Sequence, residues 1–353
     1  MTTLERRSCT YSITMKTYYN IDDDIRKYPG AWLYVAYSPR GAGKTYGFFK
    51  GRITNGEPFL YLKRTQIDID LLAREDFSPF KPLMRDLKWD IKTEKLYDGI
   101  LRIRKDDETV GYCMAMSAIH KYKGFDLSEV KYMCLDEFIP QLTERVNRKE
   151  GELLLDLYMT VSRDREERGE DPLKLCLFAN ATELYCPITD TLDIVDALSQ
   201  LNASDQEYSY LENRRIMLHR IPYSAGANTD SAIFAGMAGT QWADMAFGGT
   251  FSYNDFSKVK RIPLNGVVPY VKVIYHRTDF YIYQHKQNGM FYMTDSRGRV
   301  GYEYNLEIES DQSAFYDTWV LMLQGELNDG NMYFKSYSLY NLIRNYRKIF
   351  KNI

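Results

Sequence analysis

The sequence contains no run of about twenty apolar residues, so no segment is long enough to cross a bilayer as a helix. Its first residues, MTTLERRSCTYS, lack the apolar stretch of a secretory signal. Cysteine is sparse and unpatterned: Cys9, Cys113, Cys134, Cys176 and Cys186 form no C-x-x-C pair and are odd in number. Such usage argues against a disulfide framework and for a reducing, intracellular setting. Cys134 and Cys176 fall inside apolar runs, where a thiol acts as a small hydrophobe. Histidine is rarer still, and His120, His219, His276 and His285 show no zinc-ligand spacing with the cysteines. Charge of one sign is also missing. A formal charge of −2 neither supports nor excludes a nucleic-acid partner, because a basic pore can sit inside an acidic exterior. There is no internal repeat and no long low-complexity tail.

What is present is length, alternation and tyrosine. At 353 residues the chain exceeds the usual size of one core, so two domains are expected. The 30 tyrosines fit interfaces or base stacking, and equally a biased genome. Over the first two hundred residues, strand-like runs alternate with helix-like stretches, the pattern of a parallel α/β sheet covered on both faces. Buried strands are predicted at Trp32–Tyr37, Phe59–Lys63, Val130–Leu135 and Leu173–Phe178. Ile100–Arg104 and Gly111–Met116 read as a hairpin around Lys105-Asp106-Asp107-Glu108. Gly151–Arg168 reads as a helix, because Leu153, Leu154, Leu157 and Val161 recur at helical spacing. From Leu201 the texture changes, and Ala225–Gly249 is rich in small residues. This places a domain over 1–200, a linker or lid over 201–262, and an α+β domain over 263–353. In the last, Tyr270–His276, Phe280–His285 and Met290–Thr294 read as strands, with a turn at Asn288-Gly289. Leu339–Ile353 reads as a closing helix.

The strongest chemical signal is Ser38-Pro39-Arg40-Gly41-Ala42-Gly43-Lys44-Thr45, between a predicted strand and a helix. It is a Walker A loop with Ser38 in place of the usual first glycine. Gly41 and Gly43 allow the backbone to curl so that its N–H groups face phosphates. Lys44 then neutralises the β- and γ-phosphates, and the Thr45 hydroxyl ligates Mg²⁺; Tyr46 closes the loop. The second signal is the apolar strand Val130–Leu135 running into Asp136-Glu137, a Walker B arrangement. Asp136 is expected to hold Mg²⁺ and Glu137 to act as general base towards water. The adjacent glutamate points to the additional-strand class of P-loop ATPases, and away from kinases and GTPases. ATP and Mg²⁺ are therefore the expected cofactors.

Further candidates surround this pair. Asn180 follows the strand Leu173–Phe178, where open α/β sheets meet their ligands; it reads as a γ-phosphate sensor or as a plain turn residue. Arg40 lies inside the loop itself. Arg163 and Arg165, in Val161-Ser162-Arg163-Asp164-Arg165, are arginine-finger candidates, although helices also end in arginine for dipole reasons. Lys123 is a weaker candidate for the same subunit edge. Lys63 and Arg64 could orient the Walker B carboxylates, face DNA, or be solvated strand-end charges. Asn331–Ile353 carries five Lys/Arg and no Asp/Glu, with tyrosines interleaved. Packing accounts for its apolar face, Leu342, Ile343, Tyr346 and Ile349, and leaves the basic face open to a nucleic-acid backbone.

With these residues in place, the chain resembles the genome-packaging ATPases of small tailed phages of the phi-29-like type. The likeness runs through Ser38–Tyr46, Phe59–Arg64, Leu135–Phe138, Thr160–Glu166 and Leu177–Ala181, and more weakly into Val271–Asp295 and the terminal helix. The resemblance implies a homo-oligomeric ring, usually a pentamer, docked on the portal or connector of an empty capsid and threading double-stranded DNA inward. It implies that Arg163 acts in trans, with Lys123 at a similar edge. It implies work in the host cytoplasm, then at the portal vertex, without retention in the mature virion. In some members a structural RNA is contacted. It further implies a second domain like RNase H that has lost its acidic site. Val271–His276 carries no carboxylate, although Asp279, Asp295, Asp311 and Asp317 lie nearby, so no nuclease activity is expected. A full terminase that also cleaves DNA is the alternative.

Overall fold

The computed structural model describes residues 18–121, 124–141, 144, 146–222, 232–237, 239–240 and 254–350. Leu33–Ser38 forms β1, and all six residues are buried. A strand that is apolar on both faces needs cover on both faces, which a central position in a parallel sheet provides. The neighbouring strands follow the same logic: β2 (Phe59–Lys63), β6 (Tyr132–Asp136), β7 (Lys174–Asn180) and β9 (Ile216–Arg220). With β3 (Ile91–Tyr97), β4 (Ile100–Lys105), β5 (Glu108–Ala115) and β8 (Tyr208–Leu211) they complete a nine-stranded sheet of order β3-β4-β5-β2-β6-β7-β1-β9-β8. From β5 to β9 every pairing is parallel. Strand β7 lies between β1 and β6, so the carboxyl ends of all three emerge side by side.

The expected hairpin is β4 (Ile100–Lys105) and β5 (Glu108–Ala115). Asp106 and Asp107 both take positive φ, 48° and 68°, as a two-residue turn matched to strand twist requires. The sequence pattern gave no sign of β3 (Ile91–Tyr97), which pairs antiparallel with β4. As an edge strand, mostly solvated, β3 carries little of the apolar alternation that marks a strand.

Helices cover both faces: α1 (Ile21–Lys27), α2 (Lys44–Thr54), α3 (Gln66–Leu72), α4 (Lys81–Leu87), α5 (Glu150–Ser162), α6 (Pro187–Thr191) and α7 (Val195–Ala203). Two boundaries differ from the sequence reading. Helix α5 stops at Ser162 rather than Arg168, because Arg163 adopts φ 44°, outside helical space. The first unit does not end at 200. β8 (Tyr208–Leu211) and β9 belong to its sheet, with β9 beside β1 and Ile221 N donating to Tyr37 O at 2.9 Å. A three-residue apolar run, Ile216–Leu218, is too short to stand out after the change in texture, yet burial against β1 makes it core. Within the expected linker, Ala232–Met237 is helical, and most of Ala225–Gly249 lies outside the described residues.

The second unit is a five-stranded sheet of order β13-β10-β11-β12-β14: β10 (Val267–Tyr275), β11 (Thr278–His285), β12 (Phe291–Thr294), β13 (Tyr302–Asn305) and β14 (Met332–Phe334). The expected single closing helix is two, Tyr337–Arg344 and Tyr346–Ile349, interrupted at Asn345. Leu342, Ile343 and Tyr346 are buried as expected, and Ile349 partly so. The two units share one continuous core. Polar ties cross between them: Asp196 of α7 accepts from Ser338 N at 2.9 Å and Ser338 Oγ at 2.7 Å.

Candidate functional site

The chain leaves β1 at Ser38, turns through Gly41 at φ 82° and Gly43 at φ 87°, and enters α2 at Lys44. Only glycine takes such φ values without strain. Gly43 caps α2 without a side-chain hydrogen bond, so the first N–H groups of the helix remain available to an anion. Ser38 stays in extended strand conformation and is not among the positive-φ residues, which is why a serine is accepted there. Its Oγ takes a hydrogen bond from Lys44 Nζ and donates to Pro39 O at 2.7 Å.

A cavity of about 360 Å³ opens over this loop. It is lined by Arg40 through Tyr46 together with Asp136, Glu137 and Asn180. Sequence-distant candidates are thus brought to one place by the strand order. Lys44 is only 7% exposed. Burial lowers its ammonium from 10.5 to about 8, against the pull of Asp136 and Glu137 and helped by repulsion from Arg40. Asn180 stands opposite Ser38 in register, and its Oδ1 accepts from Lys44 Nζ at 3.4 Å. Thr45 Oγ1 donates to Asp136 Oδ2, while Asp136 Oδ1 takes the Glu137 N–H at 3.0 Å. The hydroxyl and carboxylate oxygens so placed could hold a divalent cation beside a phosphate.

Glu137 sits at φ 56°, a strained conformation for a residue with a side chain. Arg64, at the end of β2, holds it there. Its guanidinium donates to Glu137 O at 2.8 Å and to Phe138 O, and to Glu150 Oε1 at 2.7 Å. Glu144 lies 3.5 Å away. Of the readings open for Arg64 in the sequence, this is the positioning one, though it acts through backbone rather than carboxylate. Glu150 is buried, and burial raises its carboxyl above the usual range while Arg64 opposes the rise. Nothing in the sequence marked Glu150, because an acidic first turn of a helix is commonplace.

The arginine pair separates. Arg163 is exposed at the end of α5, the opposite end of the sheet from the cavity, with no ion pair within 4 Å among the described residues. Arg165 is only 4% exposed. Its guanidinium donates to Ser128 O at 2.8 Å and Val130 O at 2.7 Å, tying the entry of β6 to the end of α5. The expectation that Arg165 reaches a phosphoryl group is therefore corrected: the side chain is turned inward and occupied. Lys123 lies outside the described residues. In the second unit the four aspartates are dispersed. Asp279 pairs with Lys272 at 3.2 Å and Asp295 with Lys335, Asp311 accepts from Asn305 N at 2.9 Å, and Asp317 is exposed.

Comparison with solved structures finds likeness over nearly the whole chain. "The Phi-28 gp11 DNA packaging Motor" aligns at TM-score 0.61 with 17% identity, covering 95% of this chain and 98% of that one. "The bacteriophage Phi-29 viral genome packaging motor assembly" aligns at TM-score 0.64 with 14% identity, covering 94% and 99%. At such identity the likeness establishes a common fold. No family model matches the chain, and no curated protein matches it.

Proposed function

We propose that this chain is the ATPase of a viral genome-packaging motor, hydrolysing ATP with Mg²⁺ to drive double-stranded DNA into a preformed capsid. The observation that carries the reading is the convergence of Lys44, Thr45, Asp136, Glu137 and Asn180 on one cavity at the carboxyl ends of β1, β6 and β7. Likeness in fold to packaging-motor structures along the full chain supports it. On this reading the sheet is of the additional-strand, catalytic-glutamate class, with β7 as the added strand.

The roles follow from position. The curled loop and the start of α2 offer N–H groups to the phosphates, and Lys44 gives up a poorly solvated charge to them. The binding of an anion restores what burial costs that ammonium. Thr45 and Asp136 hold Mg²⁺, a fit supported by the hydrogen bond that already joins their oxygens. When bound, the ion neutralises charge developing on the phosphate oxygens. Glu137 accepts the proton of the attacking water, and Arg64 keeps its backbone in the conformation that aims it. Asn180 senses the γ-phosphate through the same Lys44 that it contacts. Arg40, at the exposed lip of the cavity, adds positive charge over the phosphate chain.

Arg163 is far from its own subunit's cavity and exposed, which suits a residue supplied in trans across a ring edge; Lys123 is kept as a second trans candidate on the resemblance alone. We assign the working form as a homo-oligomeric ring, a pentamer, seated on the capsid portal, and place it in the host cytoplasm before docking. The second unit is assigned as an RNase H-like domain without nuclease activity. The test is ATP turnover against protein concentration, with and without linear double-stranded DNA, in wild type and Arg163→Ala. Specific activity rising with concentration and DNA, with the variant flat, is the expected result. Turnover indifferent to all three would sink the motor reading.

A further inference from the structure

The segment from Asn180 to Asp190 leaves the nucleotide cavity and reaches the second unit, and the roles above use only its first residue. Asn180 lines the cavity, and Ala181 N donates to Ser38 O at 3.2 Å. This end is thus fastened to the strand that enters the phosphate loop. Four residues on, Leu184 is fully buried, and its N–H and C=O are both taken by side chains. The carbonyl accepts from Thr189 Oγ1 at 2.9 Å, within the first unit. The N–H donates to Asn254 Oδ1 at 3.0 Å, across 70 positions of sequence. Asn254 belongs to the stretch leading into the second unit, and that stretch is strapped down. Asn254 Nδ2 donates to the hydroxyl of Tyr337, which begins the first closing helix. Phe256 packs on the same ring with centroids 5.1 Å apart, and Lys260 N donates to Phe334 O at 2.9 Å. Two further contacts flank this one. Glu183 is half-buried, and burial raises its carboxyl above the usual range while Lys348 of the second closing helix opposes the rise. Asp190 takes Tyr275 OH at 3.2 Å, from β10.

We propose that Asn254 is a positioning residue for hydrolysis: it seats the loop behind Asn180 on the second unit, which thereby sets the turnover of bound nucleotide. The inference rests on the ATPase reading of the cavity. An asparagine suits the task because one amide offers an acceptor to Leu184 N–H and a donor to the phenol oxygen at once. Leu184 lies in the apolar core, so without Asn254 its N–H is stranded and the loop must shift to find another acceptor. That shift is passed upstream. Thr182 N donates to Asn180 O at 2.9 Å, closing a turn between Asn180 and Leu184. Asn180 Oδ1 meets Lys44 Nζ at 3.4 Å, already at the outer limit of a hydrogen bond. A displacement of about half an ångström is enough to lose that contact.

The experiment measures kcat and nucleotide Kd of the full-length protein with ATP and Mg²⁺. The variants are Asn254→Leu, Tyr337→Phe, Asn180→Ala, and the two doubles that combine Asn180→Ala with each of the others. Asn254→Leu removes acceptor and donor together, so it should lower kcat roughly tenfold and leave Kd within about twofold. Tyr337→Phe frees Asn254 from the second unit but leaves Leu184 its acceptor, so kcat should fall only about threefold. With Asn180→Ala there is no sensor left to position, and neither change should lower kcat further. A merely structural Asn254 gives losses that multiply in the double variants. That result overturns the proposal, as does a fall in affinity parallel to the fall in kcat. Should Asn254→Leu fail to fold, Tyr337→Phe decides between the same outcomes. An active wild type matched by both Asn254→Leu and Tyr337→Phe overturns this inference alone. A wild type without turnover overturns the ATPase reading with it.

Discussion

The two ends of the large sheet treat buried cations in opposite ways. At the amino ends of the strands, Arg52 is 1% exposed and held by Asp22 and by Glu57 at 2.8 Å, with the Tyr132 ring 3.9 Å below it. Arg165 is likewise sealed by two carbonyls and approached by Glu170. At the carboxyl ends, Lys44 is nearly as buried, but its contacts are a serine hydroxyl and an amide oxygen, both neutral. A buried charge without an opposing charge in contact is unfavourable, and its lowered pKa is the measure of that. Cations faced by carboxylates at one end make structure; the one held only by neutral groups at the other end makes a site.

The largest expected effect comes from removing the unsatisfied cation. Lys44→Met should reduce ATP turnover by more than about a hundredfold, through loss of electrostatic stabilisation. The same change should stabilise the ligand-free fold at neutral pH, on the order of 2 kcal/mol, readable in urea denaturation. The sign is fixed by linkage. The folded lysine releases its proton near pH 8 and the unfolded one near 10.5, so the unfolded state binds more protons between them. Stability of the ligand-free wild type should rise across that window, and the variant should lose the rise.

Arg165→Ala probes the opposite end and should do the reverse, costing about 2–4 kcal/mol of stability by orphaning two carbonyls. Arg163→Ala, two residues away, should leave stability within about 0.5 kcal/mol and act only on turnover of the assembled protein. Equal destabilisation by the two variants would erase the distinction between them.

Arg64 joins the two behaviours, since it faces carboxylates like the structural arginines but stands at the site. Arg64→Ala should lower kcat roughly tenfold or more while leaving nucleotide Kd nearly unchanged, because it releases Glu137 and not the phosphate loop. Arg64→Lys should rescue little, since one ammonium cannot span the carbonyls and Glu150 together. A parallel fall in affinity would show that Arg64 acts on binding instead.

The smallest effect concerns the seam between the units. His276 lies 3.7 Å from Asp190, which raises its pKa above 6.5 despite burial, and Tyr275 OH donates to the same carboxylate at 3.2 Å. A raised folded pKa means the contribution is present below 6.5 and is lost as pH rises through the folded value. Chemical denaturation from pH 6 to 8 should show a slight loss of stability in wild type and none in His276→Gln. The histidine is a third exposed, so solvent keeps the change small.

Much of the site was legible before folding. The strand at Phe59–Lys63 has the expected bounds, and the other three sheet strands of the site are displaced by one or two residues. Ser38–Tyr46 and Asp136-Glu137 could be read because their geometry is local: glycine at positive φ, and a carboxylate pair at the end of an apolar run. Arg163 and Arg165 could not be told apart, because a turn at φ 44° between helix and loop sends neighbouring side chains in different directions. Arg64 was ambiguous for another reason, since its partners Glu137 and Glu150 are 73 and 86 positions away in sequence.

The sequence by itself determined the backbone shape of the phosphate loop, the alternation that builds a parallel sheet, and the chemical character of the carboxylates. Each depends on residues within a few positions of one another. Tertiary structure decided which cation is held and which is left wanting, where the first unit ends, and that Asn254 is fastened to the loop behind Asn180. These are matters of burial and partnership, and burial is a property of the folded whole, set by whichever distant segments pack against a side chain.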